Sequence, residues 1–115
     1  MITHEKYLIF DLAVHIKVQN LSKLEHFEFH LTEMAKKCPL EAGCIYYKVH
    51  KITEKVGIEK REIMNEFLVV ETWESEEAWK QHLQLDAYLT HYKESLLPFL
   101  ERDVYFLNDL KKALK

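Results

Sequence analysis

The stretch YLIFDLAVHIKVQ, Tyr7 to Gln19, is the strongest constraint in the chain. Leu8, Phe10, Leu12, Val14, Ile16 and Val18 fall on one face by a period of two. The opposite face mixes Ile9 and Ala13 with Asp11, His15 and Lys17. Strict alternation is the mark of a strand with one buried side. Its length predicts pairing along the whole strand, so the fold is organised around a sheet.

The remaining elements follow in order. Ser22 and Glu25 have capping-box spacing, which predicts a helix start. Leu24, Phe27, Leu31, Met34, Ala35 and Cys38 form its apolar stripe, and Pro39 ends it. Glu41-Ala42-Gly43-Cys44 turns the chain into a second strand, Cys44 to about Lys51. Ile45, Tyr47 and Val49 are expected on one face, and Cys44, Tyr46, Lys48 and His50 on the other. Gly43 is expected at a positive φ. The charged segment around Gly57 predicts a hairpin loop, and EFLVVETW, Glu66 to Trp73, a third strand. Ser75 opens a short helix with Glu76 and Glu77 in its first turn, where negative charge suits the helix dipole. A further helical stretch spans roughly Ala87 to Leu97, closed by Pro98, and VYFL, Val104 to Leu107, is a fourth strand. NDLKKALK reads as a small terminal helix or a loose tail.

The order is β-α-β-β-α-β, an α+β chain with an antiparallel sheet and helices on one side, the ferredoxin-like arrangement. At 115 residues it reads as one domain over 1–115, with its core about 7–107. The free sheet face still carries large side chains, which predicts a homodimer with sheet faces packed together.

Composition narrows the partners. Net charge is −3 with no dominant basic face, so nucleic acid is not expected. No apolar run approaches the roughly 20 residues of a membrane span, and the N-terminus lacks signal-peptide features. These features, with Cys38 and Cys44 read as free thiols, predict a cytoplasmic protein. Dinucleotide, P-loop and Cys-x-x-Cys motifs are absent, giving no support for nucleotide or structural zinc. His26, His30 and Glu33 share one helix face at metal-ligand spacing, but that face reads as solvated. Cys44 has no histidine or acid at activating spacing and reads as a small packed residue, not a nucleophile.

Two stretches resemble a known family. EAGCIYYKV resembles the Glu-Pro-Gly-Cys-x-x-Tyr turn and strand of the antibiotic-biosynthesis monooxygenases, with Ala42 in place of the proline. ETWESEEAWKQHL resembles the second signature, with Glu71, Trp73, Ser75, Ala78 and His82 in the matching places. The order and spacing agree over about residues 7 to 107. The family's second histidine is missing, since Leu85-Asp86-Ala87-Tyr88 stands there and His91 is out of register. The segment between Gly57 and Asn65 is this chain's own.

The resemblance implies a dimeric α/β barrel with a small pocket between sheet and helices in each subunit. It also implies a cofactor-independent monooxygenase or quinol oxidase that acts on a small aromatic or quinol-like substrate with dioxygen. No metal, flavin or haem is expected. Such chemistry needs a base, a dry pocket and a group that stabilises an anion. The motif marks His82 as the base, an imidazole that titrates near neutrality. Trp73, on the same strand face as Glu71, is the second residue assigned to catalysis, as an aromatic wall. Tyr47, Tyr105, His15 and His91 are the substrate-binding candidates, each open to a structural reading as core, interface or surface. Other branches leave alternatives: an isomerase or lyase of a small phosphorylated dione, with Lys48 as the phosphate clamp; haem degradation; or a non-catalytic small-molecule-binding module.

Overall fold

The structure, a computed structural model, describes residues 9–57 and 59–110. Leu8 and the tail beyond Leu110 lie outside the described residues. Strand β1 is Phe10–Val18, helix α1 Leu24–Lys37, β2 Cys44–Val56, β3 Arg61–Trp73, α2 Glu76–His82 and β4 Leu100–Leu107. A π-helix, Ala87–Glu94, stands between α2 and β4. The strands form one antiparallel sheet in the order β2-β3-β1-β4. This is the ferredoxin-like order, with β1 at the centre as its alternation requires. Leu12, Val14 and Ile16 are buried, and beneath them Phe27, Leu31 and Met34 of α1 close the core. Each such side chain contributes roughly 1.5–3 kcal/mol on burial.

Several local features depart from the pattern read off the sequence. The first helix is entered through a 3₁₀ turn, Leu21–Lys23, capped by the Asn20 side chain, which accepts from the Ser22 N–H. The expected Ser22 cap is thus displaced two residues upstream. Beyond Lys37 the chain tightens into a second 3₁₀ turn, Cys38–Leu40. Strands β2 and β3 run well past the expected ends and close a hairpin in which the Gly57 N–H donates to the Lys60 carbonyl, 2.8 Å away. The charged segment expected to be mostly loop is therefore mostly strand. Beyond Ile52 in β2 and before Glu66 in β3, the two strands have no β1 beside them and pair only with each other. The register shifts between Ile52 and Glu54, at the root of this arm.

A second register shift lies between Cys44 and Tyr46. This bulge at Ile45 changes which residues face inward. Cys44 pairs with Trp73 and Tyr47 with Glu71, so Cys44 and Tyr47 share the core face. Simple alternation put Cys44 on the opposite face; the extra residue inverts it. Gly43 has φ of 82°, as the turn requires. A Cβ there would also meet the Ala78 Cβ at 2.6 Å. Gly43 thus lets the start of α2 pack directly on the turn, and its carbonyl accepts from the Glu74 N–H at 2.8 Å.

Candidate active site

The sheet and helices enclose a cavity of about 290 Å³. From the sheet it takes Leu12, Val14, Tyr47, Val69, Glu71, Arg102, Val104 and Phe106; from α1, Leu31 and Met34. Trp79, His82 and Leu83 come from α2 and its end, and Tyr88 and Tyr92 from the π-helix. The wall is therefore apolar and aromatic, with few polar groups. That is the usual make-up of a small-molecule site.

His82 is buried, and its Nδ1 lies 2.6 Å from Glu41 Oε1. A carboxylate can only accept, so Nδ1 carries the proton and Nε2 keeps the lone pair. Burial lowers the pKa of His82 below its usual 6.5, and the Glu41 contact opposes the shift without cancelling it. The ring is therefore neutral at pH 7. Local sequence fixes this position: the Ser75 hydroxyl caps α2 by accepting from the Ala78 N–H at 3.1 Å, and His82 follows Ala78 by one turn.

Glu71 is a second proton acceptor in the same cavity. It stands on the inward face of β3 among Phe67, Val69 and Trp73, all buried. Burial pushes its pKa up to about 7, against the 2.8 Å hydrogen bond that it accepts from Trp73 Nε1. The Glu41 charge adds a smaller upward push. Trp73 itself is fully buried and does not line the cavity. It lies behind the wall, with its ring 4.7 Å from that of His82. It thus touches both proton acceptors from behind the cavity wall, not from within the cavity.

Of the other residues singled out in the sequence, only Tyr47 joins His82 on the wall. It is buried, and burial holds its hydroxyl protonated. Tyr105 is half-exposed on the opposite face of the sheet, paired across from Ala13. His15 is on that face too, with Nε2 2.5 Å from Glu66 Oε1. His91 lies where the π-helix meets α1, with Nδ1 2.9 Å from His30 Nδ1 and Nε2 3.2 Å from Lys37 Nζ. The α1 face carrying His26, His30 and Glu33 is partly covered by this contact, and His26 Nε2 donates to the Ser95 carbonyl at 2.7 Å.

Glu71, Glu41, Tyr88, Tyr92 and Arg102 were not among the sequence candidates. Glu71 carried a readable signal, a charged residue at an inward position of an alternating strand, whereas Arg102 precedes the strand read from Val104 to Leu107. Among the described residues one cluster has metal-ligating atoms within 4.8 Å of one another, formed by Cys38, Glu41 and His82. A cation there would have to break the His82–Glu41 hydrogen bond and ionise Cys38, whose thiol burial holds protonated. Cys44 is no better activated: burial pushes its thiol up to about 11.

Comparison with known proteins supports this arrangement of elements. The model of the family described as antibiotic biosynthesis monooxygenase matches residues 14–94, well over half of the chain. No curated protein matches. A conserved Bacteroides thetaiotaomicron protein, described as a possible oxidoreductase, superposes with a TM-score of 0.72 at 18% identity, over 87% of this chain and 96% of its own. A candidate antibiotic biosynthesis monooxygenase from Nitrosomonas europaea gives 0.71 at 14% identity, over 89% and 90%. SnoaB, a cofactor-independent oxygenase from Streptomyces nogalater, gives 0.64 at 13% identity, over 88% and 92%. At these identities the likeness is one of fold.

Proposed function

The chain belongs to the antibiotic biosynthesis monooxygenase family, and we propose that it oxidises a small aromatic, quinol-like substrate with dioxygen and without a metal, flavin or haem. The reading rests chiefly on one observation: a neutral histidine, oriented by a carboxylate, on the wall of an apolar cavity. His82 takes the proton from a substrate hydroxyl or activated carbon through Nε2. The imidazolium that forms is stabilised by Glu41, whose hydrogen bond also fixes the ring. The electron-rich anion passes one electron to dioxygen, and the resulting radical pair combines into a peroxide at the substrate carbon. The peroxide takes the proton back from the His82 imidazolium; loss of the remaining hydrogen from that carbon then cleaves the O–O bond, leaving a carbonyl and releasing water, so the substrate supplies all four electrons and both hydrogens of the water.

Glu71 complements the base. Below about pH 7 it keeps its proton, and its free oxygen can donate to the developing anion. The aromatic cluster of Phe10, Trp79 and Phe106, with ring centres 5.0–5.7 Å apart, flanks one side of the cavity. Among the alternatives, a phosphorylated substrate finds no support in Lys48, which is exposed and outside the cavity lining.

We also propose a homodimer formed through the open face of the sheet. Val70, Ala13 and Tyr105 lie side by side across β3, β1 and β4 on that face, and Tyr105 and Leu107 are half-exposed.

Oxygen uptake with a panel of quinols and anthrone-like phenols tests the activity. His82→Ala is expected to lower kcat/KM at least about 100-fold, the usual worth of a positioned base. No uptake with any of the panel, or uptake undiminished in His82→Ala, would refute the reading.

A further inference from the structure

The cavity contains one permanent cation, and its surroundings are unusual for one. Arg102, on β4, alternates inward with Val104 and Phe106. Its Nη1 donates to Tyr92 Oη at 3.2 Å, and the Tyr88 phenol also acts on its charge. The guanidinium carbon lies 5.4 Å from the centre of the Tyr92 ring. Among the described residues no carboxylate pairs with it; its side-chain hydrogen-bond partner is the Tyr92 phenol.

The donor arithmetic follows from the groups themselves. A guanidinium only donates. A phenol oxygen that accepts from it therefore keeps its own O–H free to donate elsewhere. Burial, the larger influence on Tyr92, raises the pKa of that hydroxyl, so the proton stays on it at neutral pH. Arg102, Tyr92 and Tyr88 together present hydrogen-bond donors and one positive charge without a carboxylate partner to the cavity, at the side away from His82. Arg102 is itself exposed, so solvent screens part of its charge; what it offers an anion is a planar, charge-assisted donor pair for which no carboxylate competes.

The position of this donor set is informative too. The Tyr92 and Tyr88 rings lie 5.2 Å apart, and Tyr88 lies 5.5 Å from His82. The cation and the base thus stand at the two ends of a short aromatic wall. A flat ring laid along that wall, with an anionic group at Arg102, would present its far end to His82.

We propose that Arg102, Tyr92 and Tyr88 form a carboxylate-recognition subsite, so that the substrate is a small hydroxylated aromatic acid. A carboxylate suits the site better than a phosphate dianion. The planar fork of a guanidinium matches its two oxygens, and no Lys or second Arg lines the cavity to balance further charge. This inference rests on the aromatic-substrate reading above and narrows it.

Anaerobic calorimetry tests it without turnover. The probes are 2,5-dihydroxybenzoate and its methyl ester, which match in shape but differ by one charge. Wild-type protein is expected to bind the acid at least about tenfold more tightly than the ester, the worth of one charge-assisted contact. Arg102→Leu is expected to bind the two within about twofold of each other, and Arg102→Lys to keep part of the preference. Equal affinity of wild type for acid and ester overturns the subsite, and so does failure of wild type to bind either at millimolar concentration. A preference that survives in Arg102→Leu overturns it as well. The wild-type comparison needs no variant to fold. A chain that prefers the acid yet consumes no dioxygen overturns the oxygenase reading alone. One that consumes dioxygen with quinols yet shows no acid preference overturns the subsite alone.

Discussion

Glu71 and His82 respond to the same burial with opposite signs. Each is driven toward its neutral form, which raises the carboxyl and lowers the imidazole. Their contributions to stability therefore run in opposite directions with pH. For Glu71 the contribution is complete below its ordinary 4.5 and is lost as pH rises through about 7. For His82 it is complete above 6.5 and is lost as pH falls through its lowered value. Glu71→Gln keeps an acceptor for Trp73 Nε1 and removes the first dependence. The variant should be more stable than wild type above pH 7, by up to about 3 kcal/mol, since one pKa unit is worth about 1.4. Thermal melts at pH 5 and pH 8 check this; an equal difference at both would show that the carboxyl ionises normally. The same two groups should shape the rate. Activity should fall on the acid side below pH 6.5, as His82 gains a proton, and on the alkaline side near 7, as Glu71 loses one. Glu71→Gln should remove only the alkaline limb. A wild-type rate that instead climbs through pH 7, and loses that climb in Glu71→Gln, would make Glu71 the base. His82 could be found in the sequence because its helix start, spacing and motif all agree. Glu41 opens the Glu-Ala-Gly-Cys stretch, but its link to His82 could not be found there, since its reach depends on how the turn before β2 folds back.

The turn at Gly43 is where two elements are held together by the absence of a side chain. Gly43→Ala should cost about 2 kcal/mol or more, because a left-handed φ is strained and the new Cβ overlaps Ala78. The melting temperature should drop by roughly 5–10 °C. Adding Ala78→Gly should recover the overlap but not the strain, so the double variant should melt between the two. A neutral Gly43→Ala would mean that the turn can rearrange freely. The strands and helices around this turn were mostly readable, because burial on one side imposes a period of two or of about 3.6. What escaped reading had a physical reason. The bulge at Ile45 leaves no mark in hydrophobicity, yet it changes the face of Cys44. The hairpin arm is wet on both sides, so Thr53 to Lys60 shows no apolar alternation. A π-helix and an α-helix ask for similar residues, and only the backbone tells Ala87–Glu94 apart.

A sheet with helices on one side has to do something with the other side, and here that side has an apolar centre among charged residues and no layer of this chain over it. Ala13, Val70 and Leu68 form its centre, flanked by Tyr105 and Leu107. A second copy packed there would turn two open sheets into one closed structure and hide both bands. Light scattering at micromolar protein should give twice 13.8 kDa, and Tyr105→Asp should shift the mass toward the single chain. A wild-type mass of 13.8 kDa would show that the open face stays wet. The arm beyond Ile52 and Glu66 tells a related story in time, not mass. Its hydrogen bonds join two strands with no third beside them, and its side chains there are largely exposed. In an isolated chain its amides should exchange with deuterated water within minutes, while those of Leu12 to Ile16 wait for the whole fold to open. If the arm exchanges as slowly as the centre of the sheet, it is being clasped, and the order in which its amides lose protection would map what clasps it.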